Sequence, residues 1–388
     1  MTTLSKIKLK PGLHRESTQY EEDGKWFDGN HVRFRSGKPE NMRGYETKVS
    51  TAFDGSARDL ITYQSGNNKK RAVFGTPDKL YAHNGDLITD ITPIVTAVTL
   101  ANVFGTSSGS TRVCCSDAGH GRSAGDYVYF TSTATFNAVS LSTNVYPVIS
   151  VESANVFTIS VTDAANATAS DVGSATFNYL LPTGISIATG GLGYGAAAFQ
   201  ATVCASQTRA WNEAASADAS DIAFDITQWS LDNWGDDVVA NRNGGNIYYF
   251  DSDASTVPIR ATSITTSPIS VNSIVVSPND RHLIALGANS YAAATTVSGP
   301  FDPMLVRWSD QDNRTNWVPS LSTTSGEVVL TDGTKIIGGL RSRSAIHIWT
   351  DNAMWTMQYV GPPFTFRFTP AGTNCGMIAP HAAVDYNG

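Results

Sequence analysis

Leu60-Ile-Thr-Tyr63, Gly66-Asn-Asn68, Arg71-Ala-Val-Phe74, Gly75-Thr-Pro77, Lys79-Leu-Tyr-Ala82 and Asn84-Gly-Asp86 follow one another as strand, turn, strand, turn, strand, turn. β-Branched and aromatic residues fill the first kind of segment, because they pack well on a pleated surface. Gly, Pro, Asn and Asp fill the second, because they supply the φ values and local hydrogen bonds that tight turns need. Asn84-Gly85 predicts a hairpin with a type I′ turn, in which both central residues have positive φ. Residues 51–92 are therefore expected to form one antiparallel sheet.

Further along the chain the texture changes. Residues 93–183 are rich in Ser, Thr, Ala and Val and nearly free of charge, with only Arg112 and Arg122 basic between Ile91 and Gln200. Gly125-Asp-Tyr-Val-Tyr-Phe130, Tyr146-Pro-Val-Ile-Ser-Val151 and Phe157-Thr-Ile-Ser-Val161 alternate with period two. This predicts a small β-barrel inserted into the host domain. The host pattern resumes over 184–388 with Phe224-Asp-Ile-Thr-Gln-Trp229, Val238-Val-Ala240, Asn246-Ile-Tyr-Tyr-Phe250, Ser273-Ile-Val-Val276, His282-Leu-Ile-Ala-Leu286, Leu305-Val-Arg-Trp308, Lys335-Ile-Ile-Gly-Gly-Leu340, Ala345-Ile-His-Ile-Trp349 and Ala353-Met-Trp-Thr-Met357. Short strands at this spacing imply a sandwich, barrel or propeller. Loosely recurring strand quartets favour the propeller, as do the turns expected after Trp229-Ser and Trp308-Ser. The fold expected is all-β: a β-propeller, stopping before closure at residue 388, with a small inserted β-barrel.

On the N-terminal side, residues 1–50 read as an arm and first strand. Lys6, Lys8, Lys10, Arg15, Lys25, Arg33, Arg35, Lys38 and Arg43 crowd this segment. Either an exposed arm that docks on an acidic partner or a solvated strand face accounts for them.

Across all 388 residues, 41% are hydrophobic and 16% charged, which suits a folded chain with a sizeable core. A net charge of −7 argues against nucleic-acid binding through bulk charge. Cys114, Cys115, Cys204 and Cys375 lack metal-ligand spacing and read as buried small apolar residues in a reducing compartment. No segment has the apolar length of a membrane helix, so membrane insertion is not expected. Met1–Leu13 has no signal-peptide core, and folding in a cytoplasm is expected.

Candidate chemical motifs are weak when each is tested against its requirements. Gly105-Thr-Ser-Ser-Gly109 fits G-x-S-x-G but lacks the strand–helix flanks of a nucleophile elbow. Gly190–Gly195 does not complete a dinucleotide fingerprint. Asp251-Ser-Asp253 and Asp310-Gln-Asp-Asn313 offer oxygens, yet without the Gly and distal Glu of a calcium loop they read as turn caps. His14, His31, His83, His120, His282, His347 and His381 are scattered. The turn from Asp310 to Trp317 resembles the Asp-box hairpin of sialidase-like propellers. Such an enzyme would need Arg307, Arg314, Arg341 and Arg343 to converge on a carboxylate. No catalytic, cofactor-binding or metal-ligating residue is assigned, and no cofactor is expected.

Asn30-His-Val-Arg-Phe-Arg-Ser-Gly-Lys-Pro-Glu40, Asp90-Ile-Thr-Pro93, Val276-Ser-Pro-Asn-Asp-Arg-His-Leu283, Trp308-Ser-Asp310 with Asn316-Trp317, and Ile348-Trp-Thr-Asp-Asn-Ala-Met-Trp355 occur in that order. Together they resemble the tail nozzle (tail tubular) proteins of short-tailed bacteriophages. The resemblance implies a non-enzymatic virion protein, a homo-hexameric ring below the portal and a tail adaptor protein. Such a ring extends the channel that retains and ejects double-stranded DNA, passes that DNA without specific binding, and carries tail fibres or spikes. The location implied is the virion tail. The different readings open from the residues are a carbohydrate-binding or glycoside-hydrolysing propeller and a receptor-binding tail protein.

Overall fold

The computed structural model describes residues 9–16, 18, 20–21, 24–42, 52–66, 68–77, 79–85, 87–122, 125–181, 228–253, 260–292 and 299–385. Among these, every regular element is a β-strand, and no helix is long and apolar enough to cross a membrane. The chain divides into two units, Met1–Ala52 and Phe53–Gly388.

In the first unit, Lys10–Leu13 pairs in parallel with Lys25–Trp26, and Val32–Arg35 forms a hairpin with Lys38–Asn41. Ser36 and Gly37 close that hairpin at φ 51° and 76°. Positive φ at both central residues is the type I′ geometry, whose twist matches that of the strands it joins. Arg33 and Glu40 sit opposite each other and form an ion pair at 3.1 Å. Trp26 meets Phe34 edge-on at 6.2 Å between centroids.

The second unit contains four antiparallel four-stranded sheets and one closed barrel. Asp59–Gln64, Lys70–Gly75, Leu80–His83 and Ile88–Asp90 make the first sheet. Trp229–Trp234, Asp237–Arg242, Ile247–Phe250 and Thr262–Ser263 make the second. The third comprises Val271–Val276, Leu283–Asn289, Phe301–Trp308 and Gly326–Val329, and the fourth Ile336–Arg341, Ile346–Thr350, Ala353–Gly361 and Thr365–Thr373. Each is a meander in which consecutive strands pair with their neighbours.

The sheets stack in chain order, with their first strands in contact, through three successive cores. Val73, Leu80 and Ile91 pack against Trp229, Val238, Ala240 and Tyr248. Trp234, Val239 and Ile247 pack against Ile274, Val276 and Leu283. Val275, Ile284, Leu286 and Val306 pack against Ile336, Ile346, Ile348 and Met357. A sheet between two others is apolar on both faces, which is why Asp237–Arg242 and Leu283–Asn289 are runs of buried residues rather than alternating strands. Each fully buried Val, Leu or Ile contributes about 1.5–3 kcal/mol relative to exposure.

Between the first and second sheets in sequence, Ile94–Thr106, Arg112–Ser116, Tyr127–Phe130, Val145–Ser153, Val156–Ser160 and Ala169–Leu180 close a six-stranded barrel. Closure removes free strand edges. Aromatic side chains fill the interior, with Phe130 at 5.2 Å from Phe177 and Phe104 stacked on Phe136 at 4.6 Å. Two cations from outside the barrel lie over its Tyr127–Phe130 strand. Lys79 is 4.7 Å from the Tyr127 ring and pairs with Asp54. Arg260 is 4.8 Å from the Tyr129 ring and pairs with Asp90. The barrel is thereby fastened to the stacked sheets.

Several local expectations are refined. Asn84 is not in a left-handed conformation: it starts the turn, its N–H bonds the Leu87 carbonyl, its Oδ1 accepts from Leu87 N–H, and Gly85 alone carries a positive φ of 105° among the described turn residues. The pairing of Asn84 with Leu87 moves the turn one residue beyond the expected Asn84-Gly85 centre, so Asn84 is spared a positive φ. Trp229–Trp234, expected to hold a turn after Trp229-Ser, is a strand with its turn at Gly235-Asp236. Trp308-Ser309 does lead into a turn. Of the cysteines, Cys114 is disulfide-bonded, contrary to the expectation of four thiols. Cys115 is a buried free thiol, Cys375 an exposed one, and Cys204 lies outside the described residues, as do Phe224–Thr227.

Candidate functional site

The first strands of the four sheets carry a chain of polar contacts, and these define the best-built polar site. Each strand leaves backbone groups facing its neighbour in the stack, and side chains from the preceding sheet meet them. Asp59 Oδ2 accepts from Leu231 N–H of the second sheet at 2.9 Å. Ser230 Oγ accepts from Ile274 N–H and donates to the Ile274 carbonyl, both at 3.0 Å. Asp232 Oδ2 accepts from Val276 N–H of the third sheet at 2.7 Å. Asp232 Oδ1 takes Asn233 N–H at 2.7 Å and the Arg341 guanidinium of the fourth sheet at 3.2 Å. His381, past the last strand, hydrogen-bonds through Nε2 to the Trp229 carbonyl at 3.3 Å. Trp229 in turn donates its indole N–H to the Thr76 carbonyl at 2.9 Å.

Both carboxylates are electrostatically perturbed. Burial pushes the Asp232 carboxyl above its ordinary range, against the opposing pull of Arg341 and two backbone N–H groups, with the Asp59 charge adding to the rise. Burial likewise raises Asp59, opposed by His381 and the N–H groups of Leu60 and Leu231. Raised carboxyl pKa values in one cluster are a mark of functional sites, though structural networks produce them too. Here the oxygens are taken up by backbone donors and an arginine.

A second network ties the Asp310 turn into the third sheet. Ser277 Oγ donates to Asp280 Oδ1 at 2.5 Å, and His282 Nδ1 lies 2.5 Å from Asp280 Oδ2. His282 Nε2 contacts Thr324 Oγ1 at 3.0 Å, and Thr324 donates to Asp310 Oδ1 at 2.7 Å. Burial pushes the Asp310 carboxyl up, but hydrogen bonds from Thr324 and Gln311 and the nearby His282 outweigh it, and the net shift is downward. His282 is fully buried against Phe366 at 5.0 Å, so this network faces the interior.

The four arginines do not come together. Arg307 is completely buried, donates to the carbonyls of Asn289 and Trp317 at 3.1 and 3.0 Å, and has its pKa pulled down by that burial. Arg314 lies over the Tyr249 ring at 3.5 Å, Arg341 pairs with Asp232, and Arg343 is exposed. Gly105 lies within a barrel strand opposite Cys114, and the residues through Gly109 finish that strand and enter a turn. Asp251 caps Asp253 N–H at 3.0 Å, while Asp253 pairs with Arg71 at 2.6 Å beside an open polar cleft lined by Lys69, Arg71, Asn84 and Ser252. His120 bonds the Ser153 carbonyl at 3.1 Å, and His347 contacts Thr356 at 3.4 Å. Among the described residues, no three His, Cys, Asp or Glu side chains are grouped to hold a metal. Gly190–Gly195 lies outside the described residues.

Asp59 and Asp232 are the residues that sequence reasoning missed. The one available signal was an acid placed between large apolar residues, as with Asp232 in Trp229-Ser-Leu-Asp-Asn-Trp234. A charge at a position destined for burial needs a specific partner.

No family model matches the chain, and no curated protein matches it. Among solved structures, it is similar to one titled Phage phi92 endosialidase, at 15% identity over 78% of this chain and 45% of that one, with a TM-score of 0.23. The chain thus spans less than half the length of that structure, and a likeness at that score carries no argument about activity.

Proposed function

We propose that this protein is a structural subunit of a bacteriophage tail, a nozzle component that assembles as a ring and extends the channel for genome retention and ejection. In this reading the four stacked sheets are blades of a propeller and the barrel is an outrigger fixed to its side. The ring is a homo-hexamer below a tail adaptor protein, with fibres or spikes attached around it. The role is one of shape and assembly rather than catalysis.

The observation that carries the reading is what the polar groups between the first strands do. Asp59, Ser230, Asp232 and Arg341 are spent on holding one sheet to the next. Side chains used in this way tie the sheets into one stiff body, which suits a subunit whose task is assembly. The ordered sequence resemblance to tail nozzle proteins supports the same reading. An acidic balance of −7 suits a conduit that DNA must traverse, because each phosphate neutralised by a basic lining adds affinity.

Electron microscopy of purified particles, with an antibody against the barrel, tests this. Label on the tail and six-fold rings with a central channel are expected. Particles without label, together with a chain that stays outside assembled tails, would sink the proposal.

A further inference from the structure

The first and second sheets flank a polar cleft of about 430 Å³ lined by Lys69, Arg71, Asn84 and Ser252. That volume is far larger than a bare ion needs and falls among small-molecule sites, about 300–1,000 Å³. Strand alternation puts these side chains there. Tyr63 and Arg71 sit opposite each other in the first sheet, two residues on from the Ile61–Val73 pair, so they leave the face that packs on the second sheet. Ser252 comes from the second sheet, just past Ile247–Phe250.

Hydrogen-bond donors are in excess around this cleft. The Arg71 guanidinium, 11% exposed at its side chain, gives one terminal nitrogen to the Ser252 carbonyl and the other to Asp253 at 2.6 Å. Its Nε is buried without an acceptor, and so is the hydroxyl of Tyr63, which lies beside Arg71 and Ser252. Burial pushes the Tyr63 phenol above its ordinary range, so it keeps its proton and remains a donor. Lys69 is exposed, and its ammonium makes no ion pair with any described residue. Buried donors are normally matched by an acceptor, and a group rich in acceptors would match these.

The acceptors nearby are already engaged. Asp236 Oδ1 takes Gly66 N–H at 2.7 Å, and the Asp236 carbonyl takes the Ser252 hydroxyl at 2.6 Å. Asp237 accepts Ser252 N–H at 3.1 Å through Oδ1 and the Tyr249 hydroxyl through Oδ2. Asp251 Oδ1 takes Asp253 N–H at 3.0 Å. These carboxylates disfavour a heavily charged ligand, so the group that fits brings a small negative charge for Lys69 and Arg71 to meet.

We propose that this cleft binds a saccharide-sized molecule carrying one oxyanion group, a carboxylate or a phosphate ester. Lys69 meets that group from the exposed side, and the largely buried Arg71 meets it from the floor. Asp253, 47% exposed, holds the Arg71 guanidinium in the empty cleft and gives way to the incoming oxyanion. The site lies within one chain and depends on neither the ring nor the virion reading.

Isothermal titration calorimetry on the full chain with glucuronate, glucose 6-phosphate and glucose tests this. At least one of the two anions should bind with a Kd of about 1 mM or tighter, and glucose at least tenfold more weakly. The tighter anion identifies the group as a carboxylate or a phosphate ester. Lys69→Met alters an exposed side chain, so it should leave the melting temperature unchanged and weaken binding about tenfold, the loss of one charged hydrogen bond. Asp253→Asn removes the competing carboxylate and should tighten binding several-fold. No saturable binding of either anion up to about 20 mM overturns the proposal, as does equal affinity for glucose. Binding that Lys69→Met and Asp253→Asn both leave unchanged overturns it as well.

Discussion

Arg341, in the first strand of the fourth sheet, reaches Asp232, in the first strand of the second, at 3.2 Å, although the third sheet lies between those two in the chain. The pair is asymmetric in exposure: Arg341 is 41% exposed at its side chain and Asp232 10%. Its consequence is that sheets not adjacent in the stack are coupled. Unfolding of the fourth sheet releases a cation from a largely buried carboxylate of the second.

Asp232→Ala is expected to lower stability by about 1–3 kcal/mol, since it strands the Val276 N–H and frees Arg341. Asp232→Asn keeps an acceptor oxygen without the buried charge and should cost less. Arg341→Ala should cost less than either partner's burial suggests, because much of its charge is screened by solvent. Urea unfolding curves for the three variants order these effects, and equal losses for Ala and Asn at Asp232 would refute the backbone-acceptor role.

Asp59 and Asp232 have folded-state pKa values raised chiefly by burial. A raised carboxyl contributes stability that is fully present below its unfolded pKa and lost as pH rises through its folded pKa. Ionisation of this pair therefore works against folding across the upper carboxylate range. Asp59→Asn should be tolerated better at neutral than at acid pH relative to wild type. Stability measured from about pH 3 to pH 7 checks this, and a penalty independent of pH would count against it.

Asp310 carries the opposite sign. Its net shift is downward, so its contribution is present above the unfolded carboxylate pKa and lost as pH falls through the folded one. Thr324→Val removes the hydroxyl that donates to Asp310 and contacts His282. This variant should lose about 1 kcal/mol or more at neutral pH and converge toward wild type in acid, as read by thermal melts at both pH values.

Gly75→Ala places a methyl within the Trp229 indole, which is 1% exposed and cannot move aside. Overpacking of a filled core costs about 1–3 kcal/mol. Loss of cooperativity between the first two sheets, seen as faster amide exchange in Trp229–Trp234, is the expected signature. Unchanged exchange there would show that the indole has room to relax.

The fastening of the barrel is open to a double-mutant cycle. Arg260→Ala and Tyr129→Ala should each weaken resistance to proteolysis between the barrel and the first sheet. Their coupling should be about 0.5–2 kcal/mol, the range for a cation over an aromatic face with partial desolvation. A coupling of zero would mean that the barrel is held by its chain connections alone.

Period-two patterning and turn chemistry carried the all-β reading, because side-chain alternation and Gly, Asn and Pro at turns are dictated by the local backbone. Asp351-Asn352 is an instance: two turn-favouring residues between apolar runs, they join Ile346–Thr350 to Ala353–Gly361 with Thr350 Oγ1 accepting Ala353 N–H at 2.8 Å. The uncharged Ser/Thr texture of 93–183 likewise pointed to a barrel, and a closed barrel spans Ile94 to Leu180. Local signals failed where a contact partner lies far along the chain. Trp229–Trp234 was expected to turn because Ser, Asp and Asn favour turns in isolation, yet Ser230 and Asp232 find their partners at Ile274 and Val276 and remain in a strand. Arg307 could be numbered but not placed, since its complete burial depends on the carbonyls of Asn289 and Trp317 arriving together. The sequence by itself determined strands, turns and the charge contrast between the N-terminal segment and the rest. Only the tertiary structure decided which polar side chains cross-link the sheets, because burial and distant hydrogen-bond partners are properties of packing rather than of neighbouring residues.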